Sequence, residues 1–166
     1  MNMIAVDIPY PNVSELLEDR CSASIIYPAF IGTHSELNAI IQYVYQEFEY
    51  TSQKKEEIAK TLTGISLCEM KHFHLLGETL KALKADSIFT DYPQYVTPSR
   101  FYRERACEKG LERMLYEDIA LEMQAIERYR YMVKRLSNEQ VINVIERIVL
   151  DEELHLKVLK GLIYSK

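Results

Sequence analysis

The chain has 166 residues, 48% of them hydrophobic and 27% charged, with a net charge of −5. That is about one domain's worth, long enough to bury a core. The acidic balance offers no basic patch for nucleic acid, and no apolar run approaches the roughly 20 residues of a membrane span.

In chain order, Met1–Val13 lacks the charged-then-apolar order of a secretory leader. Residues 1–27 read as an N-terminal strap with one short helix near Ser14–Arg20. The first long helix is expected from Pro28, a residue suited to a first helical turn, to Tyr50, with Leu37, Ile41, Val44 and Phe48 as its apolar line. The second runs from Lys54 to Leu83, with Ile58, Leu62, Ile65, Leu76 and Leu80 on one side. A long stretch over about 84–107, holding Pro93 and Pro98, is expected to cross the length of the bundle. The third helix covers Glu108–Leu136 through Leu115, Ile119, Ile126 and Val133. The fourth covers Asn138–Ile163 through Ile145, Ile148, Leu159 and Leu162. The joints Thr51–Gln53 and Leu136–Asn138 are short, so each connects antiparallel neighbours. The fold class is therefore all-α: a four-helix bundle over residues 28–166, made of two antiparallel hairpins joined by one long crossover.

One phrase is written twice. ELNAIIQYVY (Glu36–Tyr45) opens the first hairpin and EMQAIERYRY (Glu122–Tyr131) lies in the second, so the chain reads as internally duplicated. A second motif also recurs. EMKH (Glu69–His72) and EELH (Glu152–His155) are both Glu-x-x-His, which places a carboxylate and an imidazole on one helix face. Each match alone is weak, and surface ion pairs on amphipathic helices would explain either. Both lie within apolar lines, however, and so face the core. Midway between Glu36 and Glu69 falls the Thr51–Gln53 turn, and midway between Glu122 and Glu152 falls Ser137. Each glutamate thus stands roughly 22–26 Å from its turn. All four carboxylates and both imidazoles are expected in one layer.

Four carboxylates at one depth in a core are costly unless cations neutralise them. Two divalent ions balance the charge, and two neutral imidazoles complete the shells. Oxygen-rich ligation with one nitrogen per metal suits iron or manganese. In this reading Glu69 and Glu152 bridge the pair, Glu36 and Glu122 are terminal ligands, and His72 and His155 each hold one ion. Tyr43 and Tyr129 each lie seven residues past a glutamate, placed to hydrogen-bond a ligand carboxylate from behind or to serve as plain core. His155 has an alternative partner in Asp151, four residues before it. His34 and His74 read as solvent-facing, and Cys68 as a small residue pointing away from the site. The three widely spaced cysteines, Cys21, Cys68 and Cys107, fit neither a disulfide framework nor a metal knuckle and point to a reducing cytoplasm.

One Glu from each of two helices plus one Glu-x-x-His from each of the other two resembles the ferritin-like di-metal carboxylate proteins over residues 28–163, most closely the rubrerythrin-like and manganese-catalase-like branch. The resemblance implies a ferritin-like bundle with two iron or manganese ions per chain, handling peroxide or oxygen as a peroxidase or catalase. The alternative it leaves open is a ferroxidase feeding an iron-storage cage. Two departures are visible. Rubrerythrins carry a further glutamate where this chain has Ala125, and they usually carry a Cys-rich electron-transfer module that is not found in this sequence. A peroxidase built this way takes electrons from an external donor protein. Bundles of this size often pair, which implies a homodimer or larger homo-oligomer.

Overall fold

Residues 2–87 and 108–164 are described in a computed structural model of the chain. They form five helices: α1 (Arg20–Phe30), α2 (Glu36–Ser52), α3 (Glu56–Ala82), α4 (Glu108–Arg135) and α5 (Glu139–Tyr164). There is no strand among them, and none of the helices is long and apolar enough to cross a membrane. Most of the expected crossover, including Pro93, Pro98 and Cys107, lies outside the described residues.

The first expected helix is two helices. α1 starts where Asp19 accepts hydrogen bonds from Ser22 N (3.0 Å) and Ser22 Oγ (2.6 Å), an N-cap the sequence reading passed over in favour of a helix near Ser14–Arg20. Pro28 lies near the C-terminal end of α1, not at the start of a long helix. It is tolerated because Pro28 and Ser24, the residue whose carbonyl loses its partner, are both exposed to water. The chain breaks at Ile31–Ser35, and Ser35 caps α2 by accepting from Asn38 N at 3.4 Å.

The helix pairs are antiparallel. Cross-contacts from α2 to α4 join Tyr50 to Leu111, Gln46 to Asp118, Tyr43 to Glu122 and Glu36 to Tyr129, so numbers rise on one helix as they fall on the other. Two hydrophobic cores fill the bundle. One holds Leu75, Leu76 and Leu80 of α3, Ile126 and Met132 of α4, and Val141, Val144, Ile145 and Ile148 of α5, with Ile26 and Phe30 of α1 completing it. The other holds Tyr43 and Tyr50 of α2, Leu62 and Ile65 of α3, Met114 and Leu115 of α4, and Leu159 of α5. Along each of α3, α4 and α5 the switch from one core to the other falls at the expected ligand positions. α1 takes in the first core the place that α2 takes in the second.

The expected apolar line Leu37, Ile41, Val44 and Phe48 is not the buried face of α2. Phe48 is 63% exposed and Ile41 39%, and neither belongs to a core. The buried face of α2 is Glu36, Tyr43, Gln46 and Tyr50. Each of these has a polar partner across the bundle, so the inside of this helix is selected by hydrogen bonding and not by hydropathy.

Candidate metal centre

Glu36, Glu69, His72, Glu122, Glu152 and His155 are all brought together, and none is more than 4% exposed. α3 and α5 each supply a Glu-x-x-His, whose i, i+3 spacing stacks the two groups on one face. α2 and α4 each supply one glutamate. The geometry divides the six into two sets. His72 Nδ1 lies 3.2 Å from Glu69 Oε2, 3.4 Å from Glu152 Oε1 and 3.8 Å from Glu36 Oε2. His155 Nδ1 lies 3.1 Å from Glu69 Oε1, 3.4 Å from Glu152 Oε2 and 3.9 Å from Glu122 Oε1. Glu69 and Glu152 therefore each offer one oxygen to either histidine, while Glu36 belongs to one set and Glu122 to the other. Each set of four has its ligand atoms within 4.8 Å of one another.

The donor chemistry fits a pair of hard-to-intermediate cations. Glu69 Oε1 and His155 Nδ1 are fully buried yet accept and donate no well-formed hydrogen bond. Buried polar atoms are almost always satisfied, so these two call for a ligand between them. The protein's own electrostatics agree. Burial, reinforced by Glu69, raises the Glu36 carboxyl well above the usual range, and burial with Glu152 and Glu69 does the same to Glu122. Burial would also raise Glu69 and Glu152, but the two imidazoles outweigh it and hold both low. Burial would depress His72 and His155, but Asp151 and Cys68 for His72, and Cys68, Glu152 and Glu69 for His155, more than offset it. Two divalent cations would balance the charge of the four buried carboxylates.

The tyrosines do hydrogen-bond ligand carboxylates, with a crossing. Tyr43 of α2 donates to Glu122 of α4, and Tyr129 of α4 donates to Glu36 of α2. A helical side chain leans back toward its own N-terminus, which returns each phenol to the level of the site, where the antiparallel neighbour is within reach.

The far sides of the imidazoles are held by contacts that the sequence reading did not assign. His72 Nε2 lies 3.0 Å from Asp151 Oδ2, so Asp151 serves the histidine of the opposite helix instead of His155 on its own. His155 Nε2 donates to the carbonyl of Ile4 at 2.8 Å, which fixes its Nδ1 toward the centre. Cys68 does not point away; its Sγ is 3.4 Å from His72 Nε2. One turn from Glu122, buried Asp118 accepts from Gln42 Nε2 and Gln46 Nε2, each at 2.8 Å. Burial pushes its carboxyl up to about 7. The available signals were positional: Asp151 immediately precedes a ligand glutamate, and Asp118 stands four residues before another. His34 and His74 are exposed, as expected, with His34 at the lip of the cleft described next.

A cleft between α2 and α4 opens onto the centre. Glu36, Glu69, Glu122 and Glu152 form its floor, with Gln42, Ala125 and Arg128 among its walls. Its enclosed space is about 40 Å³, room for a few molecules the size of water.

Comparison with known proteins gives one family. The family model described as Rubrerythrin matches residues 33–163. No curated protein matches the chain.

Proposed function

The chain belongs to the rubrerythrin family of di-iron carboxylate proteins, and from that premise we propose that it is a di-metal oxidoreductase acting on peroxide or oxygen. The observation that carries this reading is the division of the six ligands. Glu69 and Glu152 each turn one oxygen toward His72 and the other toward His155, so they would hold both ions, with Glu36 and His72 completing one set and Glu122 and His155 the other. The cofactor is two iron or manganese ions per chain, which supply one-electron redox change and Lewis acidity.

The protein's part is to hold, orient and exclude. Glu69 and Glu152 would hold the two ions between them. Tyr43 and Tyr129 hold Glu122 and Glu36 in position by donating to them, and a carboxylate of the centre would pass a proton to the leaving water. The small cleft favours peroxide or dioxygen over an organic substrate. As a peroxidase the balance is one peroxide, two electrons and two protons to two waters, with a reduced donor protein as the electron source. As a catalase it is two peroxides to two waters and one dioxygen.

The working unit is a homo-oligomer, a reading supported by the outward apolar line on α2. Free thiols at Cys21 and Cys68 suit a reducing cytoplasm.

Metal analysis tests the proposal: about two iron or manganese ions per chain are expected, and Glu69→Ala is expected to lose both. Full occupancy in Glu69→Ala refutes the bridging role. Peroxide loss without reductant identifies a catalase, and dependence on reductant a peroxidase. Light scattering separates both from ferroxidase storage, which requires a cage.

A further inference from the structure

We propose that the N-terminal segment Asn2–Tyr10 is a working part of the metal centre, orienting both histidines from outside, so that its docking and metal binding form one linked equilibrium. This rests on the di-metal reading above and adds a component that no helix supplies.

The case begins with a broken symmetry. The duplicated motifs align Cys68-Glu69-x-x-His72 with Asp151-Glu152-x-x-His155. Asp151 reaches across to His72 Nε2 at 3.0 Å. The equivalent position in α3 is Cys68, and a thiol is a weak acceptor. The duty it leaves toward His155 is taken by a backbone carbonyl from outside the bundle, that of Ile4, at 2.8 Å.

The same segment also secures the other half. Asp151 accepts from Val6 N at 2.8 Å and from Tyr10 Oη at 2.7 Å, so its carboxylate is aimed at His72 by the strap. Arg147 stitches the two together. It donates to Ile8 O at 2.9 Å and Val6 O at 3.1 Å, contacts Asp151 at 2.8 Å and lies 4.1 Å over the Tyr10 ring. At the other end Ile4 N donates to Gly64 O at 3.0 Å. A Cβ on Gly64 would come within 2.8 Å of Ile4 Cγ1 and 3.0 Å of Asn2 O, so the glycine is what lets the strap lie flat on α3.

Groups that orient a ligand histidine typically change metal affinity by about 10- to 100-fold when removed. If the strap orients both imidazoles, thermodynamic reciprocity requires the metal to hold the strap by the same factor. The strap lies on the α3–α5 side, opposite the cleft between α2 and α4, so this linkage is separate from substrate entry.

The test uses the full chain, with Co²⁺ as the probe because its visible bands report the ligand field, and amide hydrogen exchange over residues 2–10 as the second readout. Gly64→Leu displaces the strap while replacing a glycine with a good helix former, so α3 itself gains. Expected is faster exchange over residues 2–10, Co²⁺ affinity lower by about 10-fold or more, and shifted bands. Tyr10→Phe, which keeps the ring and removes one hydrogen bond to Asp151, should weaken chiefly one of the two Co²⁺ equivalents, by roughly 3- to 10-fold. In the unaltered protein Co²⁺ should slow exchange at Ile4 and Val6. The proposal is overturned if Gly64→Leu frees the strap and leaves affinity and bands unchanged. It is also overturned if Co²⁺ leaves exchange at Ile4 and Val6 untouched. Failure of the unaltered protein to bind Co²⁺ would sink the metal reading itself, and is distinguishable because it appears before any substitution is made.

Discussion

At the scale of single residues, the centre depends on groups that could each be satisfied in only one way. Asp151 Oδ2 faces Tyr10, Arg147 and His72, and a carboxylate can only accept, so His72 must present Nε2–H outward and Nδ1 inward. Asp151→Asn keeps the shape but puts a neutral amide in place of that acceptor. Metal affinity on the His72 side is expected to fall by about 10- to 100-fold, measured by chelator competition. Asp118 gives a different signature. Burial raises its carboxyl from 3.8 to about 7 in the folded chain. Its contribution to stability is therefore fully present below about pH 4 and is lost as pH rises through 7, a swing of roughly 4 kcal/mol. Asp118→Asn should flatten the pH dependence of denaturant midpoints between pH 4 and 8. An unchanged slope would show that Asp118 does not titrate in that window.

At the scale of elements, α1 and α2 divide between them the place of one long helix. The division falls at the level of the ligands, so Glu36 stands in the first turn of α2, where the helix dipole favours negative charge. α1 depends on its cap for a start. Asp19→Ala should cost about 1 kcal/mol, seen as a lower thermal midpoint with metal stoichiometry unchanged. The reading of Pro28 as a helix start failed because proline tells only that an N–H is absent, and a solvent-facing turn inside α1 tolerates that as well as a first turn does. The apolar line Leu37, Ile41, Val44 and Phe48 of α2 is not the face that packs inward, for a related reason. Hydropathy measures transfer from water, whereas the inner face of α2 is paired to Glu122, Asp118, Leu111 and Tyr129 by hydrogen bonds.

At the scale of the whole molecule, two apolar cores are separated by a charged layer that four helices cross. Cations in that layer would join the cores by neutralising its carboxylates. Metal removal should therefore lower stability substantially. Two ions each held at 100 times their dissociation constant contribute about 5 kcal/mol together, or roughly 10–20 °C in thermal midpoint for a chain of this length. Scanning calorimetry with and without chelator checks this, and an unchanged midpoint would contradict the proposed centre.

The sequence by itself determined the six candidate ligands and their common depth. Helical rise is fixed at about 1.5 Å per residue and the two turns are short, so counting outward from Thr51–Gln53 and Ser137 places Glu36 with Glu69 and Glu122 with Glu152 before any packing is known. It also determined the antiparallel hairpins, for the same reason. The tertiary structure decided which oxygen of Glu69 and Glu152 faces which imidazole, and that Tyr43 serves Glu122 while Tyr129 serves Glu36. It decided that Asp151 holds the opposite histidine and that Ile4 supplies the other acceptor. Periodicity gives the angle of a side chain about its own helix, but not what stands across the gap. A strap that binds through its backbone carries no periodic signal at all, because the carbonyl of Ile4 is chemically the same as every other carbonyl until the fold places it against His155.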